Sequence, residues 1–280
     1  MKITENKKIL WIAAGIIVVV SLSTAGYFIF FHGKPEEAAV VKEEKPGPEE
    51  VEEKIEPLKV EKVTPEVKWE QVTLDASDNL VRRAAVSLSS HTQFKVWLER
   101  KNLVRKFVGA TDNVVDGLSP RSFLKFLAPK GRFEVYEKYD SLYLDPSCYT
   151  RYNQVADVIS SLSVSQCINL YQEMKPLIQE AYKQLGYPDK DFDDTLELAV
   201  VELLETPVVE GDIMLEKRVI TYKMVDPKLE NLTPAQKHLL RMGPRNMRKI
   251  QAKLREIARA IGIAESKIPE PRVYVPSNRK

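Results

Sequence analysis

The sequence predicts a mainly α-helical domain with two small β-hairpins, carried behind a single N-terminal transmembrane helix and a linker. Three observations predict this. The 23 residues Ile9–Phe31 carry no charge. Five later stretches repeat apolar residues at helical spacing, which marks amphipathic helices facing one core. Two short stretches alternate apolar and polar residues on either side of a turn, which marks hairpins.

Residues 1–8 form a short tail with Lys2, Lys7 and Lys8, expected on the cytoplasmic side. Residues 9–31 follow as the anchor. At about 1.5 Å per residue they span roughly 34 Å, enough for a ~30 Å hydrocarbon core. Trp11 lies near one end and Tyr27, Phe28, Phe30 and Phe31 near the other, as interfacial aromatics do. A cleaved signal peptide has a shorter apolar region and a small-residue cleavage site, so an uncleaved anchor is expected. The short tail with Lys7 and Lys8 at the boundary favours an inside N-terminus. In a bacterium, the rest of the chain then lies in the periplasm, anchored in the inner membrane.

Residues 32–68 change character abruptly, holding five Pro, eleven Glu and seven Lys. Such a stretch buries too little apolar surface to offset its ordering entropy, and reads as a disordered tether. Its upper reach is about 110 Å at ~3.1 Å per residue.

Residues 69–262 read as one globular domain. The helical stripes are Val81, Ala84, Ala85 and Leu88; Tyr152, Val155, Ile159 and Leu162; Ile168, Tyr171, Ile178, Tyr182 and Leu185; Leu196, Val200, Leu203 and Leu204; and Met247, Ile250, Leu254, Ile257 and Ile261. Pro176 predicts a kink within the third. The last covers a little over two heptads, too few for a coiled coil, so it is expected to face the domain's own core. The hairpins are Phe133–Glu137 with Ser141–Leu144, and Ile213–Leu215 with Val219–Lys223. They are expected to join in one sheet. Each ends in Asp-Pro (Asp145-Pro146, Asp226-Pro227), an N-cap followed by a favoured first helical residue. Gly243-Pro244 separates the last two helices. Residues 263–280, with Pro269, Pro271 and Pro276, are expected as a flexible tail.

Composition excludes several function classes. A net charge of +2 does not fit a dedicated nucleic-acid binder, so no nucleic-acid partner is expected. Two Cys and three His cannot build an all-cysteine zinc site, and no cofactor is expected. There is no nucleophile elbow, Walker A loop or dinucleotide fingerprint. Asp189, Asp191 and Asp193 have calcium-loop spacing, but Asp194 and Val200 stand where that loop needs Gly and Glu. A capping role at the following helix fits better. Cys148 and Cys167 are a candidate disulfide if the domain is periplasmic. His91 and His238 read as surface or helix-end residues.

Two surfaces are candidates for recognition. Eight of the eleven Tyr lie between Tyr136 and Tyr187, and Tyr136, Tyr143, Tyr149, Arg151, Tyr152 and Tyr187 are the expected contact residues. The alternative is tyrosine at the core boundary with its hydroxyl turned outward. Arg245, Arg248, Lys249, Lys253, Arg255 and Arg259 crowd the last helix and form a candidate anion-binding face. The alternative is the solvated side of an amphipathic helix.

Several short motifs, taken in order, carry a resemblance. They are Phe107-Val108 with Asp112-Asn113; Leu144-Asp-Pro146 with Tyr149 and Arg151-Tyr152; Gln179–Tyr182 with Leu185–Pro188; and Tyr222, Asp226-Pro227, Gln236-Lys237 and Leu239–Pro244 with Asn246. The chain resembles the bacterial family called domain of unknown function 3014 over most of residues 75–260. The resemblance implies a single-pass, membrane-anchored protein with a spacer and a C-terminal domain. It implies no activity, and Cys148 stands outside the family pattern.

The function expected from all this is a non-enzymatic envelope protein presenting an interaction domain on a spacer. Its partners would be the membrane, through residues 9–31, and an envelope protein or the cell wall. The alternatives are an envelope enzyme with an unidentified site, and a module binding anions, lipid or cell wall through the basic last helix.

Overall fold

A computed structural model describes residues 69–277. The N-tail, anchor and linker expected over residues 1–68 lie outside the described residues. Among the described residues no helix is long and apolar enough to cross a membrane.

The described chain is mainly helical, as its periodicity predicts. The first helices are α1 (Asp78–Ala85), α2 (Thr92–Leu98) and α3 (Leu103–Val115). A hairpin follows, β1 (Val135–Lys138) and β2 (Ser141–Leu144), then α4 (Ser147–Thr150), α5 (Asn153–Ser160), α6 (Val164–Leu185) and α7 (Phe192–Leu204). Next come β3 (Val208–Val209), β4 (Met214–Lys217), β5 (Tyr222–Met224), α8 (Pro227–Glu230), α9 (Pro234–Leu240), α10 (Pro244–Ala260) and β6 (Val273–Tyr274).

Local chemistry sets the boundaries. Asp226 caps α8 by accepting from the Lys228 amide, with Pro227 as first helical residue. Thr233 and Gln236 form a reciprocal capping box on α9. Asp191 caps α7, and Gly186 ends α6 in the left-handed conformation. The α6 helix continues through Pro176.

The two hairpins join in one antiparallel sheet of order β1-β2-β4-β5, as the sequence predicts. In the central pair Leu142 faces Leu215 and Tyr143 faces Met214. The second hairpin departs from the prediction in register. Val219 and Ile220 do not start a strand. The Arg218 amide donates to the Thr221 carbonyl, closing a turn over them, and the strand begins at Tyr222. Burying Met214, Leu215 and Met224 fixes this register.

Two principal clusters fill the interior. One covers a sheet face with residues of α8, α9, α10 and β3, including Leu144, Ile213, Leu229, Leu240 and Met247. The other joins Trp69, in a short 3-10 turn ahead of α1, to Val81, Val108, Ile178, Tyr182 and Phe192 from α1, α3, α6 and the start of α7.

The expected flexible tail is a correction. Ile263 and Ile268 are buried against Val200, Leu204 and Ala258. The β6 strand pairs in parallel with β3, Val208 facing Val273 and Val209 facing Tyr274. Its prolines mark turns along a packed segment, and the domain extends through Ser277.

Candidate functional site

The expected tyrosine surface is dispersed. Tyr143 and Tyr152 are buried, and Tyr149 is half-buried against Gly243. Burial pushes the Tyr149 hydroxyl pKa far above its usual value. Tyr187 belongs to the helical core, stacked on Tyr182 with centroids 4.6 Å apart, while Tyr136 stacks on Tyr143 at 5.5 Å. The Arg151 guanidinium donates to the carbonyls of Cys148, Gly131 and Arg132, bracing the approach to β1. These side chains hold the fold together, as core-boundary tyrosines do.

The basic face is likewise occupied from within. Arg248 pairs with Glu210 and Lys249 with Asp157. Lys253 meets Glu256 at 2.6 Å and Arg259 meets Glu265 at 2.5 Å. Arg255 donates to the Pro269 carbonyl at 3.2 Å. Of the six, Arg245 alone has no such partner among the described residues. Most of the partners lie outside α10, so counting charges on one helix overstates the field.

The candidate disulfide is absent: Cys148 and Cys167 are both free thiols. Cys148 is buried, its Sγ accepting from the Glu134 amide at 3.0 Å and facing the Glu134 carbonyl at 3.4 Å. Cys167 sits half-buried on α6, where burial raises its pKa. His91 is a helix-end residue, its Nδ1 accepting from the Gln93 amide as the cap of α2. His238 is half-buried beside Ser119 Oγ.

Two features remain, neither proposed from the sequence. The first is a cleft of about 300 Å³ between α6, the start of α7 and the end of α10. Ile168, Leu196, Ile261 and Ile263 supply apolar walls; Tyr171, Lys175, Asp193, Asp194 and Glu197 supply polar ones. Lys175 Nζ lies 2.5 Å from Asp193 and 3.7 Å from Asp191, and the Tyr171 hydroxyl donates to Asp193 at 2.5 Å. The lysine thus supplies the positive charge that the calcium-like spacing suggested, and among the described residues no metal-holding cluster forms. The Asp193 hydrogen bond raises the Lys175 pKa. Burial pushes Asp193 up, but Lys175 and Tyr171 outweigh it and leave the carboxyl below its usual value. Both groups stay charged at neutral pH, so the pair suits orienting a polar ligand better than moving a proton.

The second feature is one end of the sheet. Lys138 faces Ser141 across the first turn, and Lys217 faces Tyr222 across the second. Because β2 and β4 run antiparallel with Leu142 opposite Leu215, both turns project from the same end. Tyr139 is 88% exposed there, Val219 98% and Ile220 91%. Tyr139 and Asp140 both have positive φ, 50° and 53°, the mirror-type turn that suits a twisted hairpin. Asp tolerates that conformation, whereas a bulky Tyr pays strain for it. The missed signal was Val219-Ile220 beside Lys217-Arg218 between two alternating stretches: β-branched residues where a turn had to fall.

No curated protein and no solved structure matches this chain. A family model described as "Protein of unknown function (DUF3014)" matches residues 103–258. That span takes in both hairpins and helices α3–α9 whole, with most of α10, and the chain belongs to this family.

Proposed function

We propose that the chain is a single-pass inner-membrane protein of the bacterial envelope whose periplasmic domain acts by contact rather than by turnover. The observation that carries this reading is the sheet end, where Tyr139, Val219 and Ile220 stand in solvent. Large apolar side chains gathered at adjoining turns mark an interaction site. The charge-free run over residues 9–31 and the Pro/Glu/Lys-rich tract over 32–68 support a domain held on a tether.

Protease treatment of spheroplasts, following a tag at the C-terminus, tests the topology. Cleavage in residues 32–68 with release of the tagged domain is expected. A tag protected until lysis refutes the periplasmic placement. A photo-crosslinking residue at position 221, beside the apolar pair, tests the contact. It should give adducts that a residue at Ser87 does not.

A second reading rests on the cleft beside Lys175, whose volume suits a small polar ligand. A Lys175→Met variant should lose any stabilisation that a soaked metabolite library gives the parent.

A further inference from the structure

We infer that the partner of the sheet end is the headgroup–acyl boundary of the bilayer that carries the chain. This inference rests on the membrane-tethered reading above.

Three observations single out a bilayer. The first is residue type. Tyr139 offers an apolar ring with a polar tip, and Val219 and Ile220 are wholly apolar; this combination suits a boundary that is apolar on one side and wet on the other. The second is size. Three side chains on two narrow turns cover far less than the roughly 800 Å² per partner of a specific protein complex. A contact that small needs its affinity supplied from elsewhere. The third is the chain outside the described residues. A charge-free run ends at Phe31 and 37 residues separate it from Trp69, so the bilayer is within the tether's reach. Tethering makes the contact intramolecular, with an effective concentration that lets weak partitioning suffice.

The charges at the turns define the mode. Lys138, Lys217, Arg218 and Lys223 stand among Glu137, Asp140 and Glu216. Lys138 is already paired with Asp212 at 3.2 Å, and Arg218 with Glu216 at 3.5 Å. The field is close to balanced, so insertion of the apolar tips drives the contact. It requires no anionic lipid and depends little on salt. The strained Tyr139 fits this use. Its left-handed backbone keeps the ring at the turn, largely in solvent, with the Lys138 ammonium 5.7 Å from its centroid.

The test uses the full-length chain with Cys167→Ser and Thr221→Cys, labelled at position 221 with the environment-sensitive dye NBD. The protein is reconstituted in phosphatidylcholine vesicles with or without a nitroxide near the top of the acyl chain. Blue-shifted emission and at least twofold quenching by the nitroxide are expected. The same dye at Ser87→Cys should stay in water. Val219→Asp with Ile220→Asp should reduce the inserted fraction by about tenfold to a hundredfold for each side chain withdrawn. Both side chains are solvent-exposed, so the fold survives the change. Carbonate extraction of the same vesicles reports the anchor separately. A chain that resists extraction while its tip dye behaves like the Ser87 control overturns the tip contact and leaves the anchor standing. A chain that is extracted overturns the anchor; quenching at 221 on added vesicles would then still uphold the tip contact, and no quenching would end it. Adducts from position 221 to protein alone, with no lipid quenching, would assign the tips to a protein partner instead.

Discussion

Replacing Asp226 with Ala tests whether the segment after Gly262 is part of the domain. Asp226 is buried and serves three donors. It accepts from the Lys228 amide at 2.9 Å, the Tyr274 hydroxyl at 2.6 Å and the Ser277 amide at 3.1 Å. Losing the cap costs about 1 kcal/mol. Losing the hydrogen bonds to a charged acceptor costs about 1.5–3 kcal/mol more. Tyr274 and Ser277 stay near water, which recovers part of this, so a net loss of about 3 kcal/mol is expected. A domain of this length loses roughly 2–4 °C of Tm per kcal/mol, giving a drop of about 6–12 °C. Urea or thermal denaturation of the purified protein reads the effect. A double-mutant cycle with Tyr274→Phe should show about 1 kcal/mol of coupling. Burial alone would raise the Asp226 pKa, but Tyr274, Lys228 and Ser277 together hold it below its usual value of 3.8. The unfolded state therefore binds the proton first as pH falls. The Asp226 contribution is present above about pH 4 and fades as pH drops through the lower folded value, where parent and Asp226→Asn should converge. A change below about 0.5 kcal/mol, with proteolysis after Gly262 unaltered, would refute the reasoning.

Three further outcomes are expected. Gly243→Ala should destabilise by ~3 kcal/mol or more, because φ is +82° and the new Cβ would fall 2.3 Å from Tyr149 Cγ; loss of soluble yield and a lowered Tm would report it. Truncation after Gly262 should cost about 4 kcal/mol, since it removes buried Ile263 and Ile268 and leaves the Val208 amide without the Arg272 carbonyl; chemical denaturation measures it. His238→Gln should flatten the acid limb of a stability–pH curve. Burial, then Arg241 and Arg121, lower the His238 pKa below 6.5, so the unfolded state binds its proton first and the parent loses stability as pH falls through 6.5.

The sequence made much of the fold legible. All five helical stripes lie on helices or their immediate continuations, because a buried face imposes a period that sequence displays directly. The hairpins were readable in outline for the same local reasons; of their Asp-Pro exits, Asp226-Pro227 caps α8 as expected, whereas α4 begins at Ser147 with Pro146 in the N-cap position. The site was not. Tyr143 and Tyr152 looked like recognition residues because composition does not say which way a side chain turns. Both are buried: Tyr143 on the sheet face opposite Leu142 and Leu144, where it stacks on Tyr136, and Tyr152 just before α5. The basic face of α10 looked free because Glu210 and Asp157, which neutralise it, lie 38 and 92 residues away. Val219 and Ile220 looked like strand because β-branched residues usually are. Several motif residues that carried the family resemblance turn out to be joints. Buried Asn246 donates to the Tyr149 carbonyl and to Asn153 Oδ1, Gly243 admits the Tyr149 ring, and Gln236 reaches the Glu202 carbonyl.

The parallel pairing of β3 with β6 sets an order of events during synthesis. Val208 and Val209 are both buried in the finished domain, yet their strand partner, Val273–Tyr274, lies 65 residues further along. At roughly 5–20 residues per second a growing chain spends about 3–13 s with that apolar edge open. Slow or stalled translation lengthens this window. A quality-control protease or a holding chaperone would meet the domain there first, at an unpaired pair of valines that the completed protein never shows.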